Sequence, residues 1–182
     1  MTGAGRDRIT GGDYGSDMDA AGVTVVVEIP GGSRNKYEMD HATGSIYLDR
    51  MLFTATRYPA DYGFIEGTLG EDGDPLDALV LVGEPTFPGC RILARPVGVF
   101  GMRDEKGQDD KILCVPLRDP ASSHLLDLDD LRPSLLAEIE HFFAVYKDLE
   151  DKKVETQGFR DLGAALVIIG ESRQRAAETA HP

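Results

Sequence analysis

The sequence predicts an α+β fold in which a β-rich body is followed by two helices. Two observations carry that prediction. From Val23 to Val115, short β-branched or apolar runs are separated by Gly or Pro clusters, as in a small barrel or a strongly curved sheet. After residue 120 the apolar residues recur at helical spacing instead. No internal repeat is visible.

The elements follow in order. Residues 1–22 hold Gly3, Gly5, Gly11, Gly12, Gly15 and Gly22 without apolar periodicity, which predicts a flexible extension ahead of one domain over residues 23–178. Asp7, Asp13, Asp17 and Asp19 argue against a cleaved transit peptide, a segment type poor in acid. Val23–Ile29 is a β-branched run stopped by Pro30, Gly31 and Gly32. Lys36–Met39 and Ser45–Leu48 flank Asp40–Gly44 as two strands flank a hairpin loop. Further strands are expected at about Gly63–Glu66, Ala78–Val82, Val97–Gly101 and Lys111–Val115. Leu135, Leu136, Ile139, Phe142, Phe143 and Tyr146 form a helical stripe, and Pro133 suits its start. A second helix is expected over about Arg160–Ala177, although Ala164–Ile169 alone would pass for a buried strand.

At 182 residues the chain is sized for one domain with its own core. Hydrophobic residues at 41% and charged residues at 28% are ordinary globular values. Lys and Arg number 19 against 32 Asp and Glu, a net charge of −13. Such a surface repels a phosphate backbone and an anionic membrane, so neither nucleic acid nor membrane is an expected partner. The apolar runs Ala78–Val82 and Ala164–Ile169 are too short to span a bilayer. Cys90 and Cys114 have no C-x-x-C spacing and read as inert buried thiols, which fits a reducing cytoplasm.

Between Tyr58 and Cys90 lie seven acidic residues and no Lys or Arg. Four of them fall within Glu71–Asp77, where Gly73 and Pro75 favour a turn that points Asp72, Asp74 and Asp77 at a common centre. Taken alone, the cluster is equally an exposed acidic loop or an oxygen site for a hard cation such as Mg²⁺. It is no EF-hand, because the ligand spacing fails. The group Asp104–Lys111 reads, by itself, as a charged hairpin tip. Lys36 and Glu38, two apart on a strand, share one face. Arg50 follows Asp49 directly, and Tyr58 and Tyr62 bracket Pro59–Asp61. Alone, Tyr146 would be core and Lys147 a charge favoured by a helix C-terminus. His124 and His141 are isolated and His41 sits in the hairpin loop, so all three read as core or interface residues rather than ligands.

Together these pieces closely resemble the soluble family I inorganic pyrophosphatases of bacterial type. The resemblance rests on Glu28-Ile29-Pro30, Lys36-Tyr37-Glu38, Leu48-Asp49-Arg50, Tyr58-Pro59-Ala60-Asp61-Tyr62-Gly63 and, above all, Asp72-Gly73-Asp74-Pro75-Leu76-Asp77. Arg95-Pro96-Val97-Gly98-Val99, Asp104–Lys111, His141-Phe142-Phe143 and Tyr146–Glu150 complete it, in order along the chain. It implies a five-stranded OB-like β-barrel with two main C-terminal helices packed outside. It also implies Mg²⁺-dependent hydrolysis of pyrophosphate to two phosphates, which keeps pyrophosphate low and drives biosynthesis; Mn²⁺ or Zn²⁺ could substitute. Carried over by residue, Asp72, Asp77 and Asp109 resemble the ligands of the tighter metal pair. Asp104 and Glu105 match the surroundings of the metal arriving with substrate, and Glu28 and Glu38 the outer carboxylates. Lys36, Arg50, Tyr62, Lys111, Tyr146 and Lys147 look like the phosphate-contacting set, with Tyr58 behind them. Asp74 matches the usual general base, a role also assigned to Asp109. The resemblance further suggests a homo-oligomer, a hexamer in bacterial members.

Two other classes of protein fit the sequence less well. A single-strand nucleic-acid module on the same barrel would need a basic groove with stacking aromatics, whereas this chain has no Trp and places carboxylates there. A catalytically silent scaffold would normally have lost a ligand or the base, yet Asp72, Asp74, Asp77 and Asp109 are all present.

Overall fold

The computed structural model describes residues 22–150 and 152–180, so the predicted extension, Gly22 apart, lies outside the described residues. Strand β1 (Val23–Ile29) ends at Pro30, which has no amide hydrogen to extend a ladder. Strands β2 (Asn35–Asp40) and β3 (Ser45–Met51) form the predicted hairpin. Its loop is closed by Asp40, whose carboxylate accepts from Ala42 N at 2.9 Å and Thr43 Oγ1 at 2.8 Å. There follow β4 (Asp61–Ile65), β5 (Asp77–Val80), β6 (Arg91–Asp104), the short β7 (Gly107–Gln108) and β8 (Lys111–Pro116).

β1 pairs with both β4 and β6. β4 pairs with β5, β5 runs parallel to β8, and β8 pairs with β6. The path β1–β4–β5–β8–β6 therefore returns to β1 as a five-strand ring, the predicted barrel. Closure removes the open edges that a flat sheet would expose.

Strands β2 to β5 differ from the sequence reading by one to three residues at their ends, the short β7 is additional, and the larger departures involve β6, β9 and α2. β6 runs for 14 residues where only Val97–Gly101 was expected, because its alternation breaks at a register shift between Pro96 and Gly98. Strand β9 (Glu155–Arg160) was not expected at all. It lies on β6 from Val99 to Arg103, held by main-chain pairing, and its largely half-exposed side chains need no apolar run. Helix α2 (Leu162–Ala180) consequently starts after β9, with Asp161 Oδ1 accepting from Ala164 N at 2.9 Å as an N-cap. Ala164–Ile169, ambiguous in sequence, is helical.

Alternate residues of the ring strands enter two apolar clusters. Leu79, Leu113 and Val115 join one with Ile139, Phe142, Phe143 and Tyr146, supplied by helix α1 (Pro133–Val145) and the residue that ends it. Ala78, Val80, Ile112 and Cys114 join the other, with Ala165 and Ile169 of α2. Phe143 stacks on Phe100 at 5.4 Å and meets Tyr146 edge-on at 5.5 Å, so the first cluster runs up to the predicted site. Burial pushes the Cys114 thiol up, in keeping with an inert thiol, whereas Cys90 is only half-buried. His41, His124 and His141 are exposed rather than core.

Candidate active site

β4 and β5 are joined by the acidic segment, and its base is closed tightly. Thr68 is buried; its Oγ1 donates to Ile65 O at 2.6 Å and accepts from Leu76 N at 3.0 Å. At the tip, Gly73 has φ +91°, a conformation that a side chain disfavours. Asp72 Oδ1 accepts from Asp74 N at 3.1 Å, which folds the two carboxylates toward one opening. Asp77 lies past the turn as the first residue of β5.

The parallel register of β5 and β8 sets Asp77 opposite Lys111. Lys111 is 2% exposed, and its Nζ donates to Asp77 Oδ2 at 2.5 Å and to Asp109. Tyr62 OH also donates to Asp77 Oδ2, at 2.5 Å. Burial pulls the Lys111 ammonium toward neutrality, but Asp77 and Asp109 overcome that and hold its pKa above the usual lysine value. Burial raises the Asp109 carboxyl, and Asp77 raises it further. Burial and Asp77 likewise push the Tyr62 phenol well up.

The other wall is cationic. Lys147, just past α1, donates to Asp104 Oδ2 at 3.1 Å. Lys36 donates to Glu38 from the same face of β2, as their spacing predicts. Arg50 on β3 is gripped by Glu150, Nε to Oε1 at 3.0 Å and Nη2 to Oε2 at 2.6 Å. Glu28 accepts from Met39 N at 2.8 Å, and burial, reinforced by Asp77, pushes its carboxyl to about 7.

Of the predicted site residues, Glu28, Lys36, Glu38, Arg50, Tyr62, Asp72, Asp74, Asp77, Asp104, Glu105, Asp109, Lys111, Tyr146 and Lys147 all line one cavity of about 430 Å³. Tyr58 does not line it. It is buried behind the wall, its ring 5.4 Å from Tyr62 and 4.8 Å from Phe142. Sequence reasoning missed Glu150 as the partner of Arg50. It also missed Arg160, whose Nη2 donates to Asp110 Oδ1 at 2.7 Å and so ties β9 to the Asp109 turn. Lys106, from the β6–β7 turn, reaches within 3.7 Å of Asp74 Oδ2.

The donors facing the cavity are carboxylate oxygens, with neither Cys nor His, which suits a hard divalent cation. Among the described residues no three of them stand ready as a metal cage, since the Lys111 ammonium lies between Asp77 and Asp109. The donor chemistry fits such a cation, and the spacing would have to tighten around it.

A ring-closed barrel whose cavity is acidic at one end and walled by Lys, Arg and Tyr is suited to hold a divalent cation beside a small anion. The sequence model of the inorganic pyrophosphatase family matches residues 25–177, and the chain belongs to that family, whose members are generally metal-dependent. An inorganic pyrophosphatase of Streptomyces coelicolor is 64% identical over 129 residues, 71% of this chain and 79% of that protein. The structure of the inorganic pyrophosphatase of Helicobacter pylori superposes with a TM-score of 0.85 at 42% identity, covering 87% of this chain and 95% of that one. That of Thermus thermophilus gives 0.85 at 44% identity, covering 88% and 94%.

Proposed function

We infer that the chain hydrolyses inorganic pyrophosphate to two phosphates, with Mg²⁺ as its metal and Mn²⁺ or Zn²⁺ as substitutes. The observation that carries the reading is Lys111, buried between Asp77 and Asp109 beneath Tyr62, in a cavity otherwise lined by further carboxylates and cations.

Asp72, Asp77 and Asp109 would hold the tighter ions, Asp104 and Glu105 the ion that enters with substrate, while Glu28 and Glu38 supply outer carboxylates. The bound ions would lower the pKa of the attacking water and offset the charge of pyrophosphate. Asp74, exposed at the rim, would accept that water's proton, with Asp109 the alternative base. Lys36, Arg50, Lys111 and Lys147 hold the phosphate oxygens and balance the charge that builds on the departing phosphate. The Tyr146 phenol, kept protonated chiefly by burial, donates to the same oxygens, and that of Tyr62 would do so on turning from Asp77 once a cation occupies that carboxylate.

The test is phosphate release from pyrophosphate with Mg²⁺ and then with excess chelator. Rapid release abolished by chelator is expected; none from folded protein would overturn the reading. Asp77→Asn should stay folded and lose activity through weaker Mg²⁺ binding, and full rate at low Mg²⁺ would refute that ligand assignment. Residues 23–178 form the working domain, so deleting residues 1–21 should leave the rate unchanged. Family likeness supports a homohexamer working in the cytoplasm; light scattering on the purified protein decides the oligomeric state.

A further inference from the structure

Leu69 sits at the start of the turn that carries Asp72 and Asp74, and both of its main-chain groups are bonded to α2. Its N–H donates to Ser172 O at 3.0 Å, and its carbonyl accepts from Arg175 Nε at 2.9 Å. The same guanidinium donates through Nη2 to Ser172 Oγ at 2.9 Å, and Ser172 is fully buried. The Leu69 carbonyl and the Gly70 N–H belong to one planar peptide unit, so fixing the first aims the second. Gly70 N donates to Asp74 O at 2.6 Å, and Asp74 N donates to Asp72 Oδ1 at 3.1 Å. Hydrogen bonds joined through the Leu69–Gly70 peptide and the Asp74 backbone therefore connect Arg175 to the Asp72 carboxylate.

We propose that Arg175 is a positioning residue for metal binding: by holding the Leu69–Gly70 peptide plane it pre-orders the Asp72–Asp74 turn. The proposal rests on the reading of Asp72 as a metal ligand. Glu71, Asp72, Gly73 and Asp74 are exposed, and a turn of that kind must be ordered whenever a cation binds, which weakens binding. A charge-assisted bond from a guanidinium, itself oriented by a buried hydroxyl, supplies that order beforehand. α2, whose sequence carries no catalytic motif, thereby takes part in the site from 106 positions away.

Calorimetric titration of the metal-free protein with Mg²⁺ alone tests this, beside thermal unfolding in chelator. Arg175→Ala should weaken Mg²⁺ binding about tenfold, the scale seen when partners behind metal ligands are lost. Its unfolding temperature should stay near wild type. Arg175→Lys, which keeps a cationic donor for the Leu69 carbonyl, should recover most of the affinity. Unchanged affinity in a folded Arg175→Ala protein overturns the proposal, and so does a loss that Arg175→Lys leaves unrepaired. Should Arg175→Ala fail to fold, Ser172→Ala decides: weakened Mg²⁺ binding in the folded variant supports the clamp, and wild-type affinity overturns it. Asp72→Asn separates the two readings. If it leaves Mg²⁺ binding intact, the ligand assignment fails; if it weakens binding where Arg175→Ala does not, only the clamp fails.

Discussion

Arg50 and Glu150, 100 positions apart in the chain, meet as a fork on a fork, at 3.0 and 2.6 Å. The Glu150 side chain is 6% exposed and that of Arg50 22%, so the pair is half withdrawn from water. A planar guanidinium bound through two nitrogens has its plane and reach fixed, which a single bond would not achieve. Glu150 comes from the 3₁₀ turn Asp148–Glu150, directly after Lys147, so one short segment delivers one cation to the cavity and aims another.

Glu150→Gln keeps the shape of this contact and removes its charge. Bonds to charged groups contribute about 1.5–3 kcal/mol, and partial exposure puts this one toward the low end. The KM for pyrophosphate should rise about tenfold, with kcat changing less. A lower KM in steady-state assays would mean that Glu150 restrains Arg50 rather than aiming it.

Lys111→Met leaves Asp77 and Asp109 facing each other without their shared cation. Removing one partner of a buried ion pair costs about 3–5 kcal/mol, so the metal-free variant should melt well below wild type. Mg²⁺ should recover part of the loss by supplying positive charge. Melting curves in chelator and in Mg²⁺ check this, and matching curves for variant and wild type in chelator would contradict it.

Glu28 gives a pH dependence with a definite sign. Its carboxyl is raised from 4.5 to about 7, chiefly by burial. Between those values the folded protein binds a proton that the unfolded chain releases, so this contribution to stability is complete below about 4.5 and lost as pH rises to about 7. Denaturant titrations of metal-free protein at pH 5 and pH 8 should show the loss, and Glu28→Gln should flatten it. An equal slope in the variant would assign the effect to another group.

Gly63 stands where β4 crosses β1 at close range. A Cβ there would lie 1.9 Å from Val26 O and 2.8 Å from Val26 C, atoms of a neighbouring strand that cannot turn aside. Gly63→Ala should cost at least the roughly 1–3 kcal/mol of ordinary overpacking, read as an earlier midpoint in urea. An unchanged midpoint would show that the ring can open locally.

Much of this was legible in the chain. β1 and the β2–β3 hairpin announce themselves by β-branched runs and a turn, and α1 by its Leu–Ile–Phe stripe. The cavity-lining carboxylates and cations stand in short motifs within strands and turns, so local spacing already groups them. β9 stayed hidden because Glu155–Arg160 is stabilised by main-chain pairing to β6, which leaves no side-chain pattern to read. Glu150, Arg160 and Arg175 were missed as site partners for another reason. Each acts on a residue far away in sequence, and only ring closure and helix docking bring the partners together.

Among the described strands, β5 and β8 are the pair that runs parallel, and their register places Asp77 beside Lys111. A slip of one residue would send the apolar side chains to the opposite face and strand a lone ammonium in an oily interior. A misaligned pairing is thus disfavoured by charge as well as by packing, and the Asp77–Lys111 contact marks the correct register of the barrel. Loss of the Lys111 ammonium is then felt twice, once at the finished cavity and once in the stability of the strand pairing that builds it.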